Sequence, residues 1–79
     1  MESLILTMAK GLVKKPDEVS VDKDEVNEDG IVVYHLHVSK EDMGRVIGKQ
    51  GKIAKAIRMI VRSAAITKKI KEKVVVEID

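Results

Sequence analysis

Arg45-Val46-Ile47-Gly48-Lys49-Gln50-Gly51-Lys52-Ile53 sets two glycines three residues apart, with Lys49 and Gln50 between them and cations on either side. The chemistry open to such a segment is capture of an anion. Glycine lets a backbone pass close to a ligand because no Cβ intervenes. A helix starting just after the second glycine presents unpaired N–H groups and partial positive charge, which suits a phosphate. Lys52, Lys55 and Arg58 continue the charge at spacings of three and extend the field along a run of phosphates. A bare GxxG is common, and its plain alternative is a capping glycine followed by a linker glycine.

Other chemistries find less support. A Walker loop needs four residues between its first glycine and Gly-Lys, and then a hydroxyl. Here Gly44 and Gly48 enclose three residues, and Gln50 follows Lys49. No GxGxxG occurs. Without Cys there is no disulfide, thiolate nucleophile or Cys-based metal site. His35 and His37 lie two apart on one strand face, but no third ligand is evident, so they read as an open sheet face and no metal is assigned. The acids from Asp17 to Asp29 lack calcium-loop spacing and read as a solvated strand and turn. No Ser-His-acid arrangement or carboxylate pair stands out. No catalytic residue and no cofactor is assigned, and the chain is not read as an enzyme.

The elements that must hold the glycine turn follow from periodicity. Residues 2–13 form a helix whose buried face draws on Leu4, Ile5, Leu6, Met8, Ala9, Leu12 and Val13, and Pro16 stops it. Residues 18–26 begin as a strand with Val19 and Val21 on one face and Glu18, Ser20 and Asp22 on the other; the alternation fails after Asp22, at a strand end or bulge. Asn27-Glu28-Asp29-Gly30 is a turn. Residues 31–38 are the strongest strand, with Val32, Tyr34, Leu36 and Val38 toward the core and Ile31, Val33, His35 and His37 away from it. Ser39 and Asp42 mark the start of a short helix running from about Lys40 to Val46 or Ile47.

Residues 52–66 are the longest helix. Ile53, Ile57, Ile60 and Ala64 make the centre of its buried stripe, flanked by Ala56 and Val61, with Lys52, Lys55, Arg58 and Arg62 opposite. Ala54, Val61 and Ala65 form a small-residue shoulder, a candidate seam for a second chain, with plain core as the alternative for Val61. Val74, Val76 and Ile78 give the core face of a last strand. The order is α-β-β-α-α-β, an α+β chain: one three-stranded sheet covered on one face by three helices. Two helices between the second and third strands permit a parallel pair and hence a mixed sheet.

Seventy-nine residues make a single domain, 1–79, with a modest core, so association with another chain is a reasonable expectation. The formal charge of +2 hides segregation. Gly44 to Lys73 carries ten Lys and Arg against Glu72 alone, whereas Asp17 to Asp29 carries seven acids against Lys23. Tyr34 is the only aromatic, which argues against base stacking on a sheet as the main binding mode. Charges interrupt every apolar run, so no membrane span is expected. Glu2 and the lack of a basic stretch ahead of the first apolar segment argue against a signal peptide.

Val46-Ile47-Gly48-Lys49-Gln50-Gly51-Lys52-Ile53-Ala54 resembles the KH signature VIGxxGxxI, with Ala54 where the signature has a larger apolar residue. Signature and element order together resemble the type II KH fold across essentially the whole chain, and the chain is similar to the small KhpA-like bacterial RNA-binding proteins. The resemblance implies that Gly48 to Gly51 grips the backbone of single-stranded RNA. It implies a site of Arg45, Val46, Ile47, Gly48, Lys49, Gln50, Gly51, Lys52, Ile53, Lys55 and Arg58, with bases between the helices and the sheet edge. It implies a cytoplasmic RNA chaperone or post-transcriptional regulator in cell-envelope or division control, paired with itself or with a larger Jag-like KH protein. The alternative is mainly a dimerisation module with secondary contact to RNA or single-stranded DNA.

Overall fold

The computed structural model describes all residues from Met1 to Asp79. Its elements are α1 (Glu2–Lys10), β1 (Ser20–Lys23), β2 (Ile31–His37), α2 (Met43–Ile47), α3 (Lys52–Thr67) and β3 (Lys73–Ile78), with single 3-10 turns at Pro16–Glu18, Lys40–Asp42 and Lys49–Gly51. The α-β-β-α-α-β order is thus realised. The sheet order is β1-β2-β3; β1 runs antiparallel to β2, and β3 runs parallel to it. The crossover from β2 to β3 carries α2, the glycine turn and α3, so the turn is hung between the central strand and the edge strand that follows it.

The even-numbered face of β2 lies under the helices. Val32, Tyr34 and Leu36 are buried there with Ile5 and Ala9 of α1, Val46 of α2, Ile57 and Val61 of α3 and Val76 of β3. Burial of this apolar surface is the main force holding the two layers together. Two boundaries differ from the periodicity reading, and a third agrees with it. Helix α1 ends at Lys10, with the Gly11 N–H donating to Thr7 O and the Leu12 N–H to Ala9 O; Leu12 and Val13 still pack against the core from outside the helix. Pro16 fits the first position of a 3-10 turn over Pro16–Glu18, which takes Glu18 out of β1, and the strand begins at Ser20. The strand end expected after Asp22 falls at Lys23, where the ladder loses regular pairing, and the half-exposed Val26 sits in the irregular stretch before the turn.

A buried carboxylate locks the start of α2. Asp42 is 1% exposed, and its two oxygens accept the backbone N–H groups of Lys14 and Lys15, both at 3.0 Å. Ser39 Oγ donates to Asp42 Oδ2 at 3.0 Å and accepts the Asp42 N–H at 3.2 Å. The N–H of Lys14, helped by Lys15, Ser39 and the nearby Arg45 charge, holds the Asp42 carboxyl below its ordinary range against the opposing effect of burial. The capping spacing between Ser39 and Asp42 was legible in the sequence. The long-range half of the interaction was not.

Helix α3 is rotated from the expected stripe. Its buried residues are Ala54, Ile57, Val61 and Ala65. Ile60 is 50% exposed, and Ile53 and Ala64 are only partly covered. The helix carries more apolar residues than one face can hold, so two stripes sharing Ile57 satisfy the same periodicity. The one with small residues at both ends faces inward. The proposed seam of Ala54, Val61 and Ala65 is therefore corrected: these residues are core of their own chain and are not available to a second one.

Candidate nucleic-acid interface

The turn between α2 and α3 is built from left-handed backbone. Gly48, Gln50 and Gly51 have φ of 76°, 58° and 73°. Gly48 closes α2 by donating its N–H to Gly44 O at 2.9 Å, and Gly51 turns the chain into α3 by donating to Gly48 O at 3.2 Å. The two glycines serve different ends. A Cβ at Gly48 would lie 2.6 Å from Ile53 Cγ1, so the first glycine lets α3 fold back tightly on the turn. A Cβ at Gly51 would meet nothing within 4 Å. The second glycine leaves an open approach to backbone N–H groups at the head of a sixteen-residue helix that no side chain caps.

The site residues expected from the sequence differ in where the structure places them. Lys49, Gln50, Lys52, Lys55 and Arg58 are exposed around the turn and along α3. Lys49, Lys52, Lys55, Arg58 and Arg62 make no ion pair, so their charge is free to act on a ligand. Arg45 is half-exposed but leans on Asp42, with Nε 3.6 Å from Oδ1. Val46 is fully buried and Ala54 nearly so, which corrects any direct contact by Val46: it anchors α2 in the core. Ile53 packs under Gly48, while Ile47 remains exposed on the short helix leading into the turn.

The flanks of α3 differ. On the side toward β3, Arg58 and Arg62 stand over Val74, Val75 and Val76 and line a shallow groove. Arg58 Nε donates to Val76 O at 3.2 Å, which holds the guanidinium at the open edge of the strand. The groove continues past Ala65, Ile66, Ile70 and Lys73. On the side toward α1, Ile53, Ala56, Ile57 and Ile60 meet Met8 and Leu12 across an apolar groove with Lys52 at its rim. Sequence periodicity missed this second groove because it assigned Ile53 and Ile60 to the core.

The outer face of the sheet is acidic and histidine-bearing. His35 Nε2 meets Asp24 at 2.8 Å, its Nδ1 meets Asp79 at 3.2 Å, and His37 Nε2 meets Asp22 at 3.0 Å. The hydrogen bond to Asp24, with Asp79 adding to it and partial burial opposing, raises the pKa of His35 above its ordinary 6.5. The charge segregation in the sequence thus becomes spatial, with acids on the outer sheet face and unpaired cations on the helical side.

Comparison with known proteins agrees with this architecture. The family model described as "KhpA/KhpB, KH domain" matches residues 2–78. The RNA-binding protein KhpA of Clostridium perfringens is 54% identical over 78 residues, covering 99% of each chain. The RNA-binding protein KhpA of Listeria monocytogenes is 57% identical over 61 residues, 77% of this chain and 78% of that one. A crystal structure of Aquifex aeolicus Era, solved with GDP.AlF4- bound, superposes with a TM-score of 0.67 at 19% identity, over 98% of this chain and 28% of that one. That likeness is one of fold alone. No helix is long and apolar enough to cross a membrane.

Proposed function

The chain belongs to the KhpA/KhpB KH-domain family, and from that premise we propose that it binds single-stranded RNA by gripping the sugar-phosphate backbone at Gly48–Gly51. The observation that carries this reading is the turn itself. Its backbone is open at Gly51, it heads an uncapped helix, and unpaired Lys49, Lys52 and Lys55 surround it. Phosphates dock at the turn and are held electrostatically. The strand then runs along the groove between α3 and β3. Arg58 and Arg62 supply charge there, and the free edge of β3 offers backbone donors and acceptors to base edges. The names of the relatives, RNA-binding protein KhpA, support RNA as the ligand. The work assigned to the protein is positioning of RNA, as a cytoplasmic chaperone or post-transcriptional regulator without cofactor or catalysis. Replacing Lys49 and Gln50 by Asp tests the grip. Crosslinking to RNA and affinity for a single-stranded oligonucleotide should fall at least tenfold while circular dichroism stays unchanged. Undiminished binding by the folded variant excludes the turn as the clamp.

The groove between α1 and α3 favours a second reading alongside the first, in which the domain also pairs with another KH-bearing chain. Ile53, Ala56 and Ile60 with Met8 and Leu12 make a contiguous apolar surface beside the turn. Its occupant is a second copy of this chain or a larger Jag-like KH protein, the family setting being cell-envelope and division control. Two weak clamps joined in one assembly gain avidity that neither has alone. Sedimentation should find the wild type associating and Ile60→Asp monomeric; a wild type that stays monomeric at working concentrations removes the self-paired version.

A further inference from the structure

We propose that the outer face of the sheet is a binding site for a zinc-type divalent cation, with His35, Glu77 and Asp79 as ligands and His37 standing beside them. Sequence reading stopped at His35 and His37 for want of a third donor. Parallel pairing of β2 with β3 supplies it. The register sets His35 beside Glu77, and alternation brings Asp79 to the same face beside His37. One donor atom each from His35, Glu77 and Asp79 fall within 4.8 Å of one another. His35 Nδ1 lies 3.2 Å from Asp79 Oδ2 and 3.5 Å from Glu77 Oε2. His37 Nδ1 is 3.8 Å from the same Asp79 oxygen, and the two imidazoles are stacked with their centroids 6.4 Å apart. Both Nδ1 atoms therefore converge on one carboxylate.

A second feature separates this group from a chance cluster of acids. Each imidazole has a carboxylate on its far nitrogen: Asp24 on Nε2 of His35 at 2.8 Å, and Asp22 on Nε2 of His37 at 3.0 Å. A proton shared with that carboxylate stays on Nε2 and leaves the Nδ1 lone pair to the metal. This carboxylate–histidine–metal relay orients ligating histidines and raises their basicity. An imidazole with two carboxylates forms a donor set suited to zinc and its transition-metal neighbours, whereas magnesium and calcium prefer all-oxygen sites. Asp22, Asp24, Glu77 and Asp79 outnumber the two histidines on this face, so the local field also draws a dication. The basic clamp lies on the helical side, so cation and RNA need not compete for one surface. A proton on His35 Nδ1 leaves to solvent as the metal takes that lone pair.

Titration calorimetry of the whole, untagged chain with zinc chloride at pH 7.5 tests this site. One-to-one saturation is expected, with magnesium chloride giving none. Asp79→Asn and His35→Gln should each weaken binding at least tenfold. Asp24→Asn, which touches only the far nitrogen, should weaken it about tenfold. Lowering the pH to 5.5 should release the metal as protons return to the ring nitrogens. In the wild type, zinc should move the imidazole Nδ1 resonance of His35 in nitrogen-15 spectra, a readout that needs no variant to fold. Lack of saturation, equal response to magnesium, unchanged affinity in folded variants or an unmoved Nδ1 resonance would each overturn the assignment.

Discussion

The two flanks of α3 come from one run of sixteen residues, yet they offer opposite chemistry. The flank over β3 carries Arg58 and Arg62 beside an open strand edge. The flank over α1 carries Ile53, Ala56 and Ile60 beside Met8 and Leu12. Both are fixed by the same buried stripe, Ala54, Ile57, Val61 and Ala65, because the side that faces the sheet decides what the remaining sides can reach. The lesson is geometric. Small residues at the ends of the stripe let the helix settle at a rotation that leaves a large isoleucine outside, and that rotation separates a cationic surface from an apolar one.

The largest effect that can break this comparison is on stability. Ile57→Ala, at a site 3% exposed, should cost about 4 kcal/mol in urea unfolding, whereas Ile60→Ala, at a site 50% exposed, should cost less than about 1 kcal/mol. Equal costs would mean that Ile60 is as buried as Ile57, and the apolar flank would vanish as a surface. Next comes the turn at the head of both flanks. Gly48→Ala adds left-handed strain to a collision with Ile53 and should cost about 3 kcal/mol; Gly51→Ala carries the strain alone and should cost about 1 kcal/mol. Matching losses would place the two glycines in one role.

A smaller effect separates the flanks by function. Arg58→Ala with Arg62→Ala should weaken RNA binding roughly tenfold and flatten the dependence of log affinity on log salt by about 1.4, since each lost single-strand phosphate contact removes about 0.7. On an oligonucleotide too short to reach a second clamp, Ile60→Asp should leave that slope unchanged. Fluorescence anisotropy across a salt series decides the matter, and a slope altered equally by both would merge the flanks into one surface. The smallest effect is one of pH. The Asp42 pKa is lowered on folding from an ordinary value of 3.8, so the stability it contributes is complete above that value and is lost as pH falls through the lowered one. Melting temperature against pH should therefore drop more steeply below about pH 4 for the wild type than for Asp42→Asn. At pH 7 that variant should keep both the salt slope and the sedimentation behaviour, because Asp42 lies under neither flank.

The fold was readable because its two strongest signals are local. Strict alternation in β2 put Val32, Tyr34 and Leu36 inward, and the glycine pair between two helical patterns placed the turn. The three-stranded mixed sheet followed from counting elements between strands. What escaped depends on partners distant in sequence. Asp42 reads as a helix cap because Ser39 is three residues away, while its other partners are bare backbone amides of Lys14 and Lys15, which no side-chain pattern can signal. The rotation of α3 escaped because an apolar-rich helix supports two stripes, and only packing against the sheet chooses between them. The convergence of Glu77 and Asp79 on His35 escaped because it needs the parallel register. The signal that would have found it is parity, since all three residues are odd-numbered and share a face once β2 and β3 pair in that register.

The Asp42 carboxylate joins residues 27 and 28 positions apart, gripping a stretch of chain that belongs to no helix or strand. In kinetic terms it closes a long loop whose entropy must be lost before the contact can form, so it belongs to a late step of folding. Once formed, it keeps the amide protons of Lys14 and Lys15 from solvent through a side chain alone. Hydrogen exchange at those two amides should then be as slow as in the central strand, and faster in Asp42→Asn. The stretch after α1 that looks like a loose connection becomes a timer, whose opening reports when the first helix parts from the clamp.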